Sequence, residues 1–347
     1  MRIAKDFFYN ASFILLGFVF LFIGGWLLKI LLAEKYNKAA LYSADMVTVI
    51  TEEKKAIEIN KYNPNYYNNL SCFYASFDSI SPNSVTSILF YDNSLSYAFL
   101  DSSYYYSYKA WSIAPREQLF ALNYAILTAV RGDTDKAIEI LYPFVIDGSA
   151  TGETLCIVGL FEESKGINSI AQELYSKGIV LKPTIIGSNF WRELSQRNPL
   201  ILEQTIVAVL QELEEVYEIT KDPIIAAKLG KVYLEVNELG KAKKMLELAL
   251  DKLPTLGRPW YYLGVIEEKK ENVIKAREFF NKSFSLDSSD MLPLIKLSQF
   301  DNNLIDQIEK LRARKKSHHS YRISKMYGGT PLKYPYVAEG FEQYFNE

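Results

Sequence analysis

Cysteine and histidine are nearly absent, with two of each in 347 residues. Cys72 and Cys156 lie far apart and outside any CxxC spacing. Neither a disulfide framework nor a structural zinc site is expected from them, and each reads as a small buried apolar residue. His318 and His319 are adjacent, and neither a helix nor a strand points neighbouring side chains at one metal. Excess charge is missing too: 39 Lys and Arg stand against 41 Asp and Glu, a net charge of -2. No overall attraction to nucleic acid follows. Alternating strand runs bounded by hairpin turns are absent, as are a G-x-S-x-G elbow, a P-loop and an H-E-x-x-H pair. No catalytic residue, metal or cofactor is expected, and the chain does not read as an enzyme. Acidic pairs such as Glu214-Glu215 and Glu267-Glu268 sit in Lys-rich helical stretches and read as solvated faces.

Aromatic residues are plentiful. The 25 Tyr and 20 Phe argue against disorder. From Phe7 to Leu28 the chain carries no charge, "FFYNASFILLGFVFLFIGGWLL", and about 20 apolar residues span a bilayer as a helix. The expectation is a transmembrane anchor over residues 1–38, with 7–32 in the membrane and Lys29 reaching toward the headgroups. The other reading is a buried helix of a soluble domain. Arg2 and Lys5 on one side balance Lys29, Lys35 and Lys38 on the other, so the positive-inside rule does not fix an orientation. We place the bulk of the chain outside the cytoplasm. Three N-x-S/T triplets (Asn10, Asn69, Asn281) are of the kind that chance supplies.

After about residue 40 the pattern is helical. "TEEKKAIEINKYNP" and "DKAIEILYPFVIDG" place apolar residues at three- and four-residue steps. Asn63-Pro64, Ala114-Pro115, Lys182-Pro183, Asp222-Pro223 and Leu253-Pro254 mark helix boundaries. These marks are periodic. Leu229-Gly230 and Leu263-Gly264 lie 34 residues apart, as do Ala242 and Ala276, and Leu246 and Phe280. Gly132 pairs with Gly166, Ala137 with Ala171, and Leu141 with Tyr175 at the same offset.

A 34-residue helix–turn–helix period resembles the tetratricopeptide (TPR) repeat family. The resemblance implies an all-α solenoid in which small residues let paired helices approach. On this reading the sequence divides into divergent repeats with an insertion (39–115), two repeats (116–184) and a diverged helix pair (185–221). Two further repeats (222–290), a capping region (291–325) and an aromatic tail (326–347) follow. "RPWYYLG" (258–264) then reads mainly as packing, with Trp260 at the repeat's large aromatic position. Tyr261 and Tyr262 are not expected to face inward together.

The resemblance also implies a concave face lined by first helices, where a peptide or amphipathic helix of a protein partner lies. Candidate groove positions are Asn65, Asn68, Leu122, Ile126 and Glu153, followed by Lys231, Glu235, Tyr261 and Glu268. Some members of the resembled family clamp a C-terminal carboxylate; Asn68 fits that pattern, but Leu122, Ile126 and Cys156 do not, which argues against such a clamp. Lys310, Arg312, Arg314, Lys315, Lys316, Arg322 and Lys325 form a basic run without an acid. It is either contact with anionic lipid or glycan, or the exposed face of a capping helix. The apolar run leading into repeats, with "SNFWRELSQR" and "LPTLGRPWYYLG", is also similar to the C-terminal part of O-antigen ligase or polymerase-like membrane proteins. That family works through many membrane helices, and this chain has one such run. The leading expectation is a non-catalytic, membrane-anchored scaffold for protein partners, set in the cell envelope. The alternative is an auxiliary or split subunit of an O-antigen or polysaccharide system.

Overall fold

A computed structural model describes residues 2–43, 46–77, 89–90, 98–308 and 310, and every regular element among them is helical. They form two compact units: 2–77 with 98–120, and 89–90 with 121–310.

The first unit contains α1 (Arg2–Tyr42), α2 (Met46–Ile59), α3 (Pro64–Phe77) and α4 (Leu100–Ile113), each packed on the next. Asn63 and Pro64 start α3. The Asn63 Oδ1 accepts the Asn65 backbone N–H at 3.1 Å, and Pro64 fills a helix start where its missing N–H is no loss. Two small apolar clusters hold α1, α2 and α3 together. One joins Ala33, Ala56 and Tyr66; the other joins Ala40, Val49 and Phe73. Between α3 and α4, the Ser71 and Ser103 hydroxyls each donate to the other's backbone carbonyl at 2.9 Å. A buried hydroxyl left unpaired costs about 1–3 kcal/mol, so the reciprocal bond lets two small polar residues stand at a close helix crossing.

The expected single-pass membrane location is corrected here. Among the described residues no helix is long and apolar enough to cross a membrane. The helix does not stop where the uncharged run ends at Leu28. It continues unbroken through Lys29, Glu34, Lys35, Asn37 and Lys38 to Tyr42. Ala33, Asn37 and Ala40 are fully buried there. Periodic small residues make this half of α1, beyond the uncharged run, a packing partner of α2 and α3.

The second unit takes in most of α5 (Gln118–Val130), then α6 (Thr134–Ile146), α7 (Gly152–Ser164) and α8 (Asn168–Leu181). A single 3-10 turn at Pro183–Ile185 leads to α9 (Asn189–Arg197) and α10 (Pro199–Thr220). After these come α11 (Pro223–Glu235), α12 (Leu239–Lys252), α13 (Gly257–Lys269), α14 (Val273–Leu286) and α15 (Met291–Ser298). The pairs α7/α8, α11/α12 and α13/α14 are hairpins with one geometry. In each, a glycine on the first helix meets a large residue sixteen positions later on the second: Gly159 and Tyr175, Gly230 and Leu246, Gly264 and Phe280. A Cβ built on these glycines would lie 2.6, 2.6 and 2.5 Å from the facing side chain. Ala137, Ala171, Ala242 and Ala276 are fully buried on the second helices.

The turns inside the hairpins repeat as well. Gly166, Asn237 and Glu271 all have positive φ, as has Gly132 between α5 and α6. Each N–H bonds three residues back, and the next N–H bonds five back, as in Glu271 to Glu268 and Asn272 to Glu267. This is the Schellman closure of a helix. Side-chain oxygens of Asp133, Thr151, Ser188, Asn198, Asp222, Asn272 and Asp290 accept backbone N–H groups at the starts of the helices that follow them. The α9/α10 pair breaks the pattern. α10 runs 22 residues and buries one stripe at every fourth position: Ile201, Thr205, Val209 and Leu213.

Candidate partner-binding surface

In the first unit, Asn65 and Asn68 lie on α3 and are buried. In the second, Leu122 and Ile126 on α5 are also buried. Glu153 begins α7 half-buried, and the Lys182 ammonium, just past α8, donates to its carboxylate. Burial pushes the Glu153 carboxyl up, but the hydrogen bond and charge of Lys182 outweigh it and leave a net fall.

On α11, Lys231 is buried, its Nζ 2.6 Å from Glu235 Oε1 and 5.1 Å from the centre of the Tyr262 ring. Glu235 reaches the turn before α9, where a Cβ on Gly187 would lie 3.1 Å from its Oε2. On α13, Glu268 is half-buried and accepts from Lys296 of α15 at 2.6 Å. Both α13 tyrosines are buried, Tyr261 at 8% exposure and Tyr262 at 4%, which corrects the expectation that only one faces inward. Tyr261 packs on Phe280 of its own hairpin, centroids 5.7 Å apart, and Tyr262 is covered by Lys231 from the preceding hairpin. A residue at a junction between hairpins is enclosed from two sides. Trp260 is half-buried, with its indole N–H donating to the Pro254 carbonyl at 3.1 Å and its ring against Phe279.

The structure therefore brings Lys231 together with Glu235, and ties Glu153 and Glu268 to lysines that the sequence pattern does not single out. It leaves Asn65 and Asn68 in a separate unit. Lys310 is exposed; Arg312, Arg314, Lys315, Lys316, Arg322 and Lys325 lie outside the described residues.

Three features are not anticipated by the sequence pattern. Positions 228, 262 and 296, at the 34-residue offset on α11, α13 and α15, carry Lys, Tyr and Lys. Lys228 is half-buried and donates to the Val180 carbonyl at 2.7 Å, and burial lowers its pKa. The offset that marks the small residues applies equally to these polar side chains and is the signal that could find them. Glu163 and Arg197, 34 residues apart, form a buried pair: Arg197 Nη2 lies 3.0 Å from Glu163 Oε2. The Tyr175 hydroxyl donates to the same carboxylate at 2.6 Å, and Phe90 stacks on the guanidinium at 4.2 Å. Finally, α3 and α4 share a column of rings, with Tyr74 stacked between Phe99 (5.8 Å) and Tyr106 (5.9 Å).

Chemically, the first-helix face of the second unit offers half-exposed carboxylates and ammonium groups beside aromatic rings. It can donate and accept hydrogen bonds along a segment of chain. Among the described residues no group of three or more His, Cys, Asp or Glu side chains is placed to hold a metal.

No protein-family model matches the chain, and no curated protein matches it. Solved structures do resemble it. A tetratricopeptide repeat protein from Parabacteroides merdae aligns with 80% of this chain and 98% of its own, at 14% identity and a TM-score of 0.37. YrrB, described as a TPR protein with an unusual peptide-binding site, covers 71% of this chain and 97% of its own, at 15% identity and a TM-score of 0.29. The TPR2AB domain of yeast Sti1, solved with a pHSP90 complex, covers 70% and 92%, at 16% identity and a TM-score of 0.26. At these low TM-scores nothing about a ligand follows. The repeat reading rests on the internal 34-residue offset and on the three hairpins that share it.

Proposed function

We propose that the chain is a repeat scaffold that binds a protein partner on the first-helix face of its second unit, over α11, α13 and α15. The observation that carries this reading is the common hairpin geometry. It sets first helices side by side at a constant offset and gives one face over successive repeats, a form suited to an extended or helical segment. The partner segment is amphipathic. Its polar groups meet Glu235, Glu268, Lys228 and Lys296, and its apolar groups lie along the helix surface between them.

Photo-cross-linking tests the proposal. A photoreactive residue placed at Glu235 or Glu268 in the full chain is expected to give a discrete protein adduct in the native cell. The same residue at Lys244, exposed on the second helix α12, is expected to give none. Adducts that form only at Lys244, or equally at all three positions, would sink the idea.

A further inference from the structure

The first unit contains a buried polar chain that the scaffold reading does not use. Glu53 on α2 is 1% exposed and lies between Val49 and Ala56, members of the two apolar clusters. Its Oε1 accepts from Asn69 Nδ2 of α3 at 3.0 Å. Asn69 Nδ2 also donates to Asn37 Oδ1 of α1 at 2.9 Å, and Asn37 donates to both oxygens of Glu34 at 3.2 Å. The Tyr66 hydroxyl closes the chain on Glu34 Oε2 at 3.4 Å. The other oxygen of Glu53, Oε2, is buried and meets no donor.

A carboxylate in such a place would hold charge against apolar neighbours with one donor for two oxygens. The groups that face it carry little to neutralise it. From α1 comes Glu34, of like sign, with Lys38 acting on Glu34. From α3 comes the neutral Tyr66 hydroxyl. On α2 itself, Lys55 is engaged by Glu52 at 2.7 Å. We propose that Glu53 is a proton-operated latch: with a proton on Oε2 it lets α2 seat between α1 and α3, and loss of that proton to solvent loosens α2.

The energetics agree with the geometry. Burial pushes the Glu53 carboxyl well above the ordinary carboxylate range; the bond from Asn69 opposes the rise, and the charge of Glu34 adds to it. Burial also raises Glu34, against the bond from Asn37, the charge of Lys38 and the bond from Tyr66. For an acid with a raised folded pKa, the open state releases the proton first. Seating of α2 is therefore firmest below the open-state value, about 4.3 for Glu. It weakens as pH rises from there through the folded value and is constant above it.

Hydrogen exchange of the full chain across a pH series tests the latch. After correction for intrinsic exchange, protection of α2 amides in the wild type is expected to fall by up to tenfold per pH unit within that window. Glu53→Gln keeps an acceptor for Asn69 and cannot titrate, so its α2 protection is expected to keep only the smaller fall that the raised Glu34 contributes. Glu34→Gln removes the like charge, and the fall is expected to end at a lower pH. Level protection in the wild type, or the same slope in Glu53→Gln, overturns the proposal. Should Glu53→Gln fail to fold, carboxyl-carbon NMR of labelled wild-type chain decides. A Glu53 resonance that titrates in the ordinary Glu range overturns the latch, and one that titrates well above it supports it.

Discussion

Gly264 stands so close to Phe280 that a Cβ on the glycine would lie 2.5 Å from the ring. Phe280 is fully buried, so the ring has nowhere to retreat. Alanine is favoured over glycine in a helix by about 0.8–1.0 kcal/mol, yet Gly264→Ala is expected to lose stability by roughly 1–3 kcal/mol through overpacking. Gly240→Ala, with nothing within 4 Å of its Cβ, is the control and is expected to gain. Urea melts of the two variants measure the contrast. Equal shifts would show that the hairpin is looser than described.

Ala276 makes the reciprocal claim from the second helix. Ala276→Leu adds volume at a fully buried position and is expected to lower stability by roughly 1–3 kcal/mol. An unchanged thermal midpoint would mean that the repeat register is wrong.

Glu271 holds a left-handed conformation, φ 60°, at the turn where Gly132 and Gly166 stand in earlier repeats. The left-handed region costs a residue with a Cβ about 1–2 kcal/mol, and glycine's extra unfolded-state entropy offsets about 0.5–1 kcal/mol of that. Glu271→Gly is expected to stabilise by about 0.5–1 kcal/mol. Asn237→Gly should gain less, because Asn tolerates this region. Calorimetry on both variants gives the ranking, and a loss at Glu271 would contradict it.

Glu163 and Arg197 are both nearly buried and share their bonds with Tyr175. Removing one partner leaves an uncompensated charge, so Arg197→Met is expected to lose about 3–5 kcal/mol. Adding Glu163→Gln to it should recover part of the loss. Denaturant melts of the singles and the double complete the cycle, and additive losses would show that the pair is not coupled.

Glu153 gives a pH prediction of opposite sign to that for Glu53. Its folded pKa lies below the ordinary value because Lys182 outweighs burial. Its contribution is therefore present above the unfolded value of about 4.3 and is lost as pH falls through the folded value. Wild type should exceed Glu153→Gln in stability at pH 7, and the gap should close in acid. A gap that persists at the lowest pH would assign the effect to something other than the carboxylate.

The hairpins are legible in the sequence because their marks are local and periodic. Gly230, Gly264, Ala242 and Ala276 recur at one offset, and small residues have few roles in a helix besides close approach. Gly159 does the same work but is hard to find, since the turn glycines Gly132 and Gly166 are the plainer marks of the earlier repeats. The polar face is much less legible. Whether Lys231 or Glu268 points into open space depends on Tyr262 and Lys296 from neighbouring hairpins, and no local pattern encodes that. The N-terminal run misleads because it is read by itself, whereas the helix that carries it continues past Leu28 through charged residues and buried small ones to Tyr42.

The proposed partner lies along the first helices of the second unit. Hydrogen exchange of the full chain, with and without the partner captured by cross-linking, tests this placement most directly. New protection is expected on α11, α13 and α15, with little change on α12 and α14. Protection confined to α12 and α14 would contradict the placement.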